Sequence, residues 1–499
     1  MRRRGFLAGA AALATLPVLR LSARTDGSLL SEARRLAAEP YVDDTPPLPP
    51  PFRGLNYNAY RAIRPIPGRA AMLPNGPGFE VDLLPPGLYF PDPVRIDRDT
   101  GTGPREIAFS PDLFSFDARY FGAVPDTAPG AGFSGLRLRH PLNAPGRMDE
   151  VLVVQGASYF RAIGQSMAYG LSARAVAVGT GGAGPEEFPR FTHLRLYPGQ
   201  VGTVSLEAVI DSPSLAGHLH MTLRPGAETV MDLTVTLLPR REIADIGVAP
   251  LTSMYLKGPL RASVSDDFRP RVHDSDLLVI ENGAGERLWR PISNPARVET
   301  SAFLDNGPAG FGLFQSVRNF TDYEDTEARY HDRPNAVVRP RGNWGRGAVM
   351  LVEIPAGDEF MDNIVAFWRP EEALAPGSEH RFAYSLVWTL APPDAGGRHT
   401  ILQSRSGREH DRPGTRRYVI DIAGDAARLR PEITSQGQAE ITGLSLFPLP
   451  DGRGARLTFL LAPGDANAVE LRLVFRDGGG RVAAPIWLHR WTRARDGGV

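Results

Sequence analysis

Met231-Asp-Leu-Thr-Val-Thr-Leu237 alternates apolar and polar side chains without interruption. A period of two puts Met231, Leu233, Val235 and Leu237 on one face of an extended strand and Asp232, Thr234 and Thr236 on the other, as a half-buried strand requires. Outward from it the chain keeps to this pattern. Short apolar runs, Val151 to Val154, Ala348 to Glu353 and Phe382 to Trp388, are separated by glycine, proline and aspartate. That spacing predicts a large antiparallel β-sandwich and an all-β fold class. Helical spacing is legible at one place, where Leu29, Ala33, Leu36 and Ala37 recur and Pro40 stops the run at Glu39. Pro46 to Pro51 read as a stiff, extended spacer.

With 499 residues, two or three domains are expected. The strand pattern lapses between Ala391 and Gly414, and residues 396–414 read as a linker. It separates a large sandwich, residues 24–395, from a smaller unit, residues 415–499. Strands are expected there at Tyr418 to Ile422, Ala455 to Leu461 and Ala468 to Phe475, and Asp477-Gly-Gly-Gly480 turns the chain toward Val482 to Trp491. A small immunoglobulin-like sandwich fits that size and turn spacing.

Composition removes several function classes. Hydrophobic residues make up 42% and charged residues 22%, too apolar and too balanced for a chain that stays unfolded. Lys plus Arg and Asp plus Glu number 56 each, so no general attraction to nucleic acid is expected. The sequence holds no cysteine, which excludes disulfides, thiolate catalysis and cysteine-ligated zinc. Arg3-Arg4-Gly-Phe-Leu7 opens an apolar stretch that runs to Leu19. It reads as a twin-arginine signal peptide over residues 1–23 and predicts a periplasmic protein. The stretch is shorter than the roughly 20 residues a permanent anchor needs.

The glycine-rich Thr180-Gly-Gly-Ala-Gly-Pro185 loop has no following Lys-Ser/Thr and no predicted helix, so it does not read as a phosphate cradle. His218 with His220, and His273 with Asp274 and Asp276, lack a further sequence-local ligand, and no metal is assigned. No Gly-x-Ser-x-Gly stands between a strand and a helix. There remain loop clusters of aromatic, arginine and carboxylate residues: Tyr60 with Arg61, Tyr159 with Arg161, Tyr169 to Arg174, Glu186 to Pro189, Tyr330 with Arg333, Trp344, and Trp368 after Asp362. Aromatic faces stack on sugar C–H surfaces, while arginines and carboxylates hydrogen-bond to hydroxyls. A carbohydrate cleft is the expected site, with Tyr60, Arg61, Tyr159, Arg161, Tyr330, Arg333, Trp344 and Trp368 as substrate-binding candidates and no cofactor.

In order along the chain, these clusters join Pro250-Leu-Thr-Ser-Met254, Arg269-Pro-Arg-Val-His-Asp-Ser-Asp276, Asp305-Asn-Gly-Pro-Ala-Gly-Phe-Gly312 and Asp362-Asn-Ile-Val-Ala-Phe-Trp-Arg-Pro370. Together, from about Leu55 to the end, they resemble the osmoregulated periplasmic glucan biosynthesis proteins of the OpgG and OpgD type, and the twin-arginine leader leans toward the D branch. The resemblance implies a galactose-mutarotase-like β-sandwich followed by an immunoglobulin-like one. It also implies action on a β-1,2-linked glucose backbone as an inverting endo-glucanase or transglycosylase, with Asp362 as general acid and Asp274 as base. Tyr330 matches a loop tyrosine that covers the cleft. The partners implied are β-1,2-glucan and a membrane glucan synthase. A non-catalytic glucan-binding or scaffold protein is the alternative.

Cleavage of a glycosidic bond needs one carboxyl group holding a proton and one carboxylate activating water. Met361, Phe360 and Glu359 are expected to keep Asp362 protonated, and Arg271 and His273 to keep Asp274 ionised. The acidic run Asp322 to Glu327, within Ser316 to Pro334, is where subsite geometry is expected to depart from the family.

Overall fold

The structure is a computed structural model that describes residues 28–43, 45–260, 266–393, 398–437 and 439–496. The signal-peptide reading lies outside the described residues.

The alternating stretch is part of the strand Thr229–Pro239. It pairs antiparallel with Leu215–Arg224 on one side and His380–Thr389 on the other, His218 facing Thr236 and Leu233 facing Tyr384. Met231, Leu233, Val235 and Leu237 are all fully buried. They meet Val349, Leu351, Ala366 and Trp368 in one apolar core. The first four belong to a fourteen-stranded sheet and the latter to an eleven-stranded one, so the core lies between two sheets and the all-β sandwich stands. The expected runs lie in the strands Met148–Gln155, Arg346–Glu353 and His380–Thr389. Among the described residues, Leu29–Ala38 is the one helix longer than two turns. Ser28 caps it by accepting from the Ser31 amide, and its buried Leu29 and Ala33 pack on Val209 and Leu238. Pro46 to Pro51 is no free spacer: Leu48 packs against the core and the following Phe52 is buried.

Beyond residue 398, four strands form a separate sheet in the order Ile401–Arg408, Arg416–Ala423, Gly454–Ala462, Glu440–Pro448. Ile401–Arg408 falls in the stretch read as linker. Its polar residues suit a strand that pairs on one side only, and Ile401 alone supplies a buried apolar anchor. Val469, Leu471, Leu473 and Phe475 all face inward as expected. Their sheet is not a free one, because Ile486–Thr492 runs parallel to Arg287–Pro291, with Leu288 opposite Ile486 and Trp289 opposite Trp487. The fourteen-stranded sheet is thereby continuous into the C-terminal region.

Candidate functional site

Asp274 directly follows the two-residue strand Val272–His273, which pairs with Tyr255–Lys257. Its amide donates to the Met254 carbonyl at 2.9 Å, and its carbonyl accepts from the Gln315 side chain at 3.0 Å. Asp362 lies two residues ahead of the strand Ile364–Pro370. Between them, the fully buried Asn363 side chain accepts from the Tyr255 amide at 2.8 Å and donates to the Tyr255 and Ile354 carbonyls at 3.0 and 2.9 Å. Asn363 therefore locks the backbone of Asp362 to the hairpin that carries Asp274. Two acidic residues distant in the chain are brought into one site.

Their surroundings differ. Asp274 is buried and ion-paired with Arg333, whose Nη1 donates to Oδ1. Arg333 also lies over the Tyr330 ring, 4.3 Å from its centroid. Asp362 is recessed yet open at its tip, with a side chain 35% exposed, and Arg161 Nη2 stands 3.6 Å from Oδ2. Burial raises its pKa above the ordinary aspartate value; Arg161, Arg174 and Arg333 oppose that, and the charge of Asp274 reinforces it. Phe360 and Met361 do not provide the burial, since both side chains point to solvent, and Glu359 is engaged with Arg269. Nor do Arg271 and His273 pair with Asp274. Arg271 turns to Asp276 at 3.5 Å, and the wholly buried His273 is neutral near pH 7 because burial pushes its pKa down to about 4. Residues adjacent in an extended segment face opposite ways, so sequence neighbours are poor guides to charge neighbours.

Around the pair, Arg161 Nε donates to Ser172 Oγ at 2.6 Å. Buried Arg174 donates to Glu186 at 2.5 Å and Thr252 at 2.9 Å, and lies over the rings of Tyr159 and Phe188 at 4.6 and 5.5 Å. Burial pushes the Tyr159 phenol up to about 12. The loop after Gln315 folds back over this region. Tyr330 is buried and donates to Glu359 Oε2 at 2.6 Å, its pKa raised by burial and by that bond. Arg269 binds Asp267 at 2.9 Å, Asp325 at 2.8 Å and Glu359 at 2.8 Å, joining three chain segments. Asp325, in the acidic run, also turns its own loop by accepting the Glu327 and Ala328 amides. Arg174, Glu186, Arg269, Gln315 and Asn363 were not singled out as site residues by the sequence. Arg174, Glu186, Arg269 and Asn363 sit in strings that were quoted without assigning them a role; nothing in the sequence distinguished Gln315.

Four expected binding residues make contacts that involve neither aspartate. Trp344 and Trp368 are 7% and 0% exposed and pack against each other in the core, so neither offers a face to a ligand. The Tyr60 hydroxyl donates to the Pro85 carbonyl and accepts from Gln155. Arg61 lies over the neighbouring Tyr57 ring, and no ion pair joins it to either aspartate. Among the described residues, no group of three or more histidine, aspartate or glutamate side chains is arranged to hold a metal ion. None of the described helices is long and apolar enough to cross a membrane.

Residues 26–491 match the family model described as periplasmic glucan biosynthesis protein, MdoG. A glucans biosynthesis protein G of Vibrio cholerae is 41% identical over 472 residues, covering 92% of this chain and 85% of that one. One from Shewanella frigidimarina is 39% identical over 467 residues, covering 92% and 83%. Residues 1–23, on whose reading the leaning toward the D branch rests, precede the matched residues. A solved galactose mutarotase related enzyme from Lactobacillus acidophilus overlays 53% of this chain at a TM-score of 0.22 and 8% identity, too loosely to assign the fold.

Proposed function

The chain belongs to the MdoG family of periplasmic glucan biosynthesis proteins, and from that premise we propose that it is an inverting endo-glucanase or transglycosylase acting on a β-1,2-linked glucose backbone. The observation that supports this reading is one site holding two aspartates in different surroundings, one ion-paired and buried, the other recessed beside it. Asp362, its pKa raised by burial and by the charge of Asp274, is the acid that gives a proton to the departing glycosidic oxygen. Asp274, ion-paired with Arg333, serves as the carboxylate that draws a proton from the attacking water or sugar hydroxyl. This division of labour is what inversion requires. Tyr159, Arg161, Arg333 and Tyr330 line the same region; the Tyr330 loop shields the reacting bond from bulk water. The glucan is the substrate, a membrane glucan synthase the second partner, and the twin-arginine leader the export signal.

The test is incubation with linear β-1,2-glucan. The wild-type protein should release new reducing ends or redistribute chain lengths, and Asp362→Asn and Asp274→Asn should each lose this by at least two orders of magnitude. Equal inactivity of all three overturns catalysis and leaves a binding role.

A further inference from the structure

Exposed apolar side chains scattered singly need no explanation, but several gathered at the rim of a polar site do. Phe360 is 90% exposed and Phe268 79%, and both belong to the segments that build the two-aspartate site. Phe360 stands two residues before Asp362. Phe268 immediately precedes Arg269, whose Nη1 donates to Glu359, the residue before Phe360, at 2.8 Å. One ion pair thus brings the two phenylalanine-bearing segments side by side.

Each ring is also presented on a fixed turn. The Asp267 carboxylate accepts the Arg269 amide at 3.0 Å across Phe268, and the Asp358 carboxylate accepts the Phe360 amide at 2.9 Å. Such aspartate-closed turns set the backbone before any ligand arrives, so little ordering cost is left for binding. The one guanidinium beneath is saturated from within by three carboxylates, Asp267, Asp325 and Glu359, which outnumber it. A phosphate or other anion therefore finds no free guanidinium there. Apolar faces over a base rich in carboxylate acceptors repel anions and suit a neutral ligand with alternating C–H and hydroxyl surfaces.

We propose that Phe268 and Phe360 form a stacking platform at the mouth of the site, gripping glucosyl units beyond those at the scissile bond and giving preference to long glucan chains. This rests on the glucan reading above. The experiment measures calorimetric affinity in the catalytically silenced Asp362→Asn protein for a long β-1,2-glucan and for a short β-1,2-linked oligomer. Adding Phe268→Ala and Phe360→Ala together should weaken long-chain binding roughly tenfold while leaving the short oligomer unchanged. Unaltered melting of the variant shows that the fold is intact. Long-chain affinity that stays unchanged overturns the platform alone. So does equal weakening for both lengths, or a change of oligomeric state without a change in affinity, which assigns the rings to a second copy of the chain. No binding by the Asp362→Asn parent itself removes the glucan reading, and the platform with it.

Discussion

At Asp362, burial among protein atoms opposes the charged form, and three arginines do not fully compensate. The sign of the resulting pH dependence follows from linkage. A carboxyl whose pKa is higher folded than unfolded binds its proton more tightly in the fold. Its stabilisation is complete below the ordinary aspartate pKa, about 4, and is lost as pH rises through the raised value. At neutral pH, where the unfolded chain's carboxyl is ionised, burying this group is therefore a cost to folding that asparagine does not carry. Asp362→Asn should melt higher than wild type at pH 7, and the gap should close as pH falls below about 4. A gap independent of pH, or a lower melting point at pH 7, would show that Asp362 is not strained in this way. Asp362 and Asp274 were recognisable from their sequence strings. Arg333 was legible as a binding candidate, but its pairing with Asp274 was not, because the two are 59 residues apart in the chain.

The element that completes the site is the loop between the strands Gly310–Phe314 and Asn335–Arg341. It has little apolar anchorage beyond Tyr323 and Tyr330, which pack with Met254 and Val272. Polar ties therefore carry much of its order: Arg269 to Asp325, Tyr330 to Glu359, and Gln315 to the Tyr330 carbonyl at 2.7 Å. Arg269→Ala removes the guanidinium that joins three segments and leaves Asp325 without its cation. Amide exchange over residues 325–333 should accelerate by at least tenfold while the strands Thr229–Pro239 and Ile364–Pro370 keep their protection, and turnover should fall with it. Uniform exchange across the loop and those strands would make Arg269 a general stabiliser instead. Alternation made the strands legible, since burial on one face writes period two directly into the sequence. The loop left no such trace. Its contacts are single long-range ion pairs, and its acidic run looked like subsite chemistry when Asp325 in fact serves as an internal tie. The aromatic strings misled for a related reason: Trp344 and Trp368 share the composition of a sugar cleft, but Trp368 lies on the strand Ile364–Pro370, where an inward position makes it core.

Across the whole molecule, the parallel pairing of Ile486–Thr492 with Arg287–Pro291 makes the C-terminal strands an extension of the sheet behind the site. The apolar cluster there mixes Leu277, Val279, Trp289 and Phe314 with Tyr418, Phe459 and Trp487, so neither part buries its own surface alone. Polar groups are shared as well. Arg495 donates to Ser293 Oγ at 2.6 Å and approaches Glu299 at 3.5 Å. Ser293 in turn donates to Glu353, which also pairs with Arg290 at 3.1 Å. Glu353 ends the strand beside Ile364–Pro370, facing Ile364 two residues from Asp362. A buried network so connected transmits the loss of one member, because the remaining charges stay buried without their partner. Arg495→Met removes the cation facing Glu299 and Asp496 and should cost about 3–5 kcal/mol. If the two regions are one cooperative unit, calorimetry should show a single transition moved to lower temperature, with near-ultraviolet dichroism and the Trp signal changing together. Two separated transitions, the upper unchanged by the substitution, would mean that the sheet continuity carries no energetic coupling and that the large sandwich stands without its C-terminal strands.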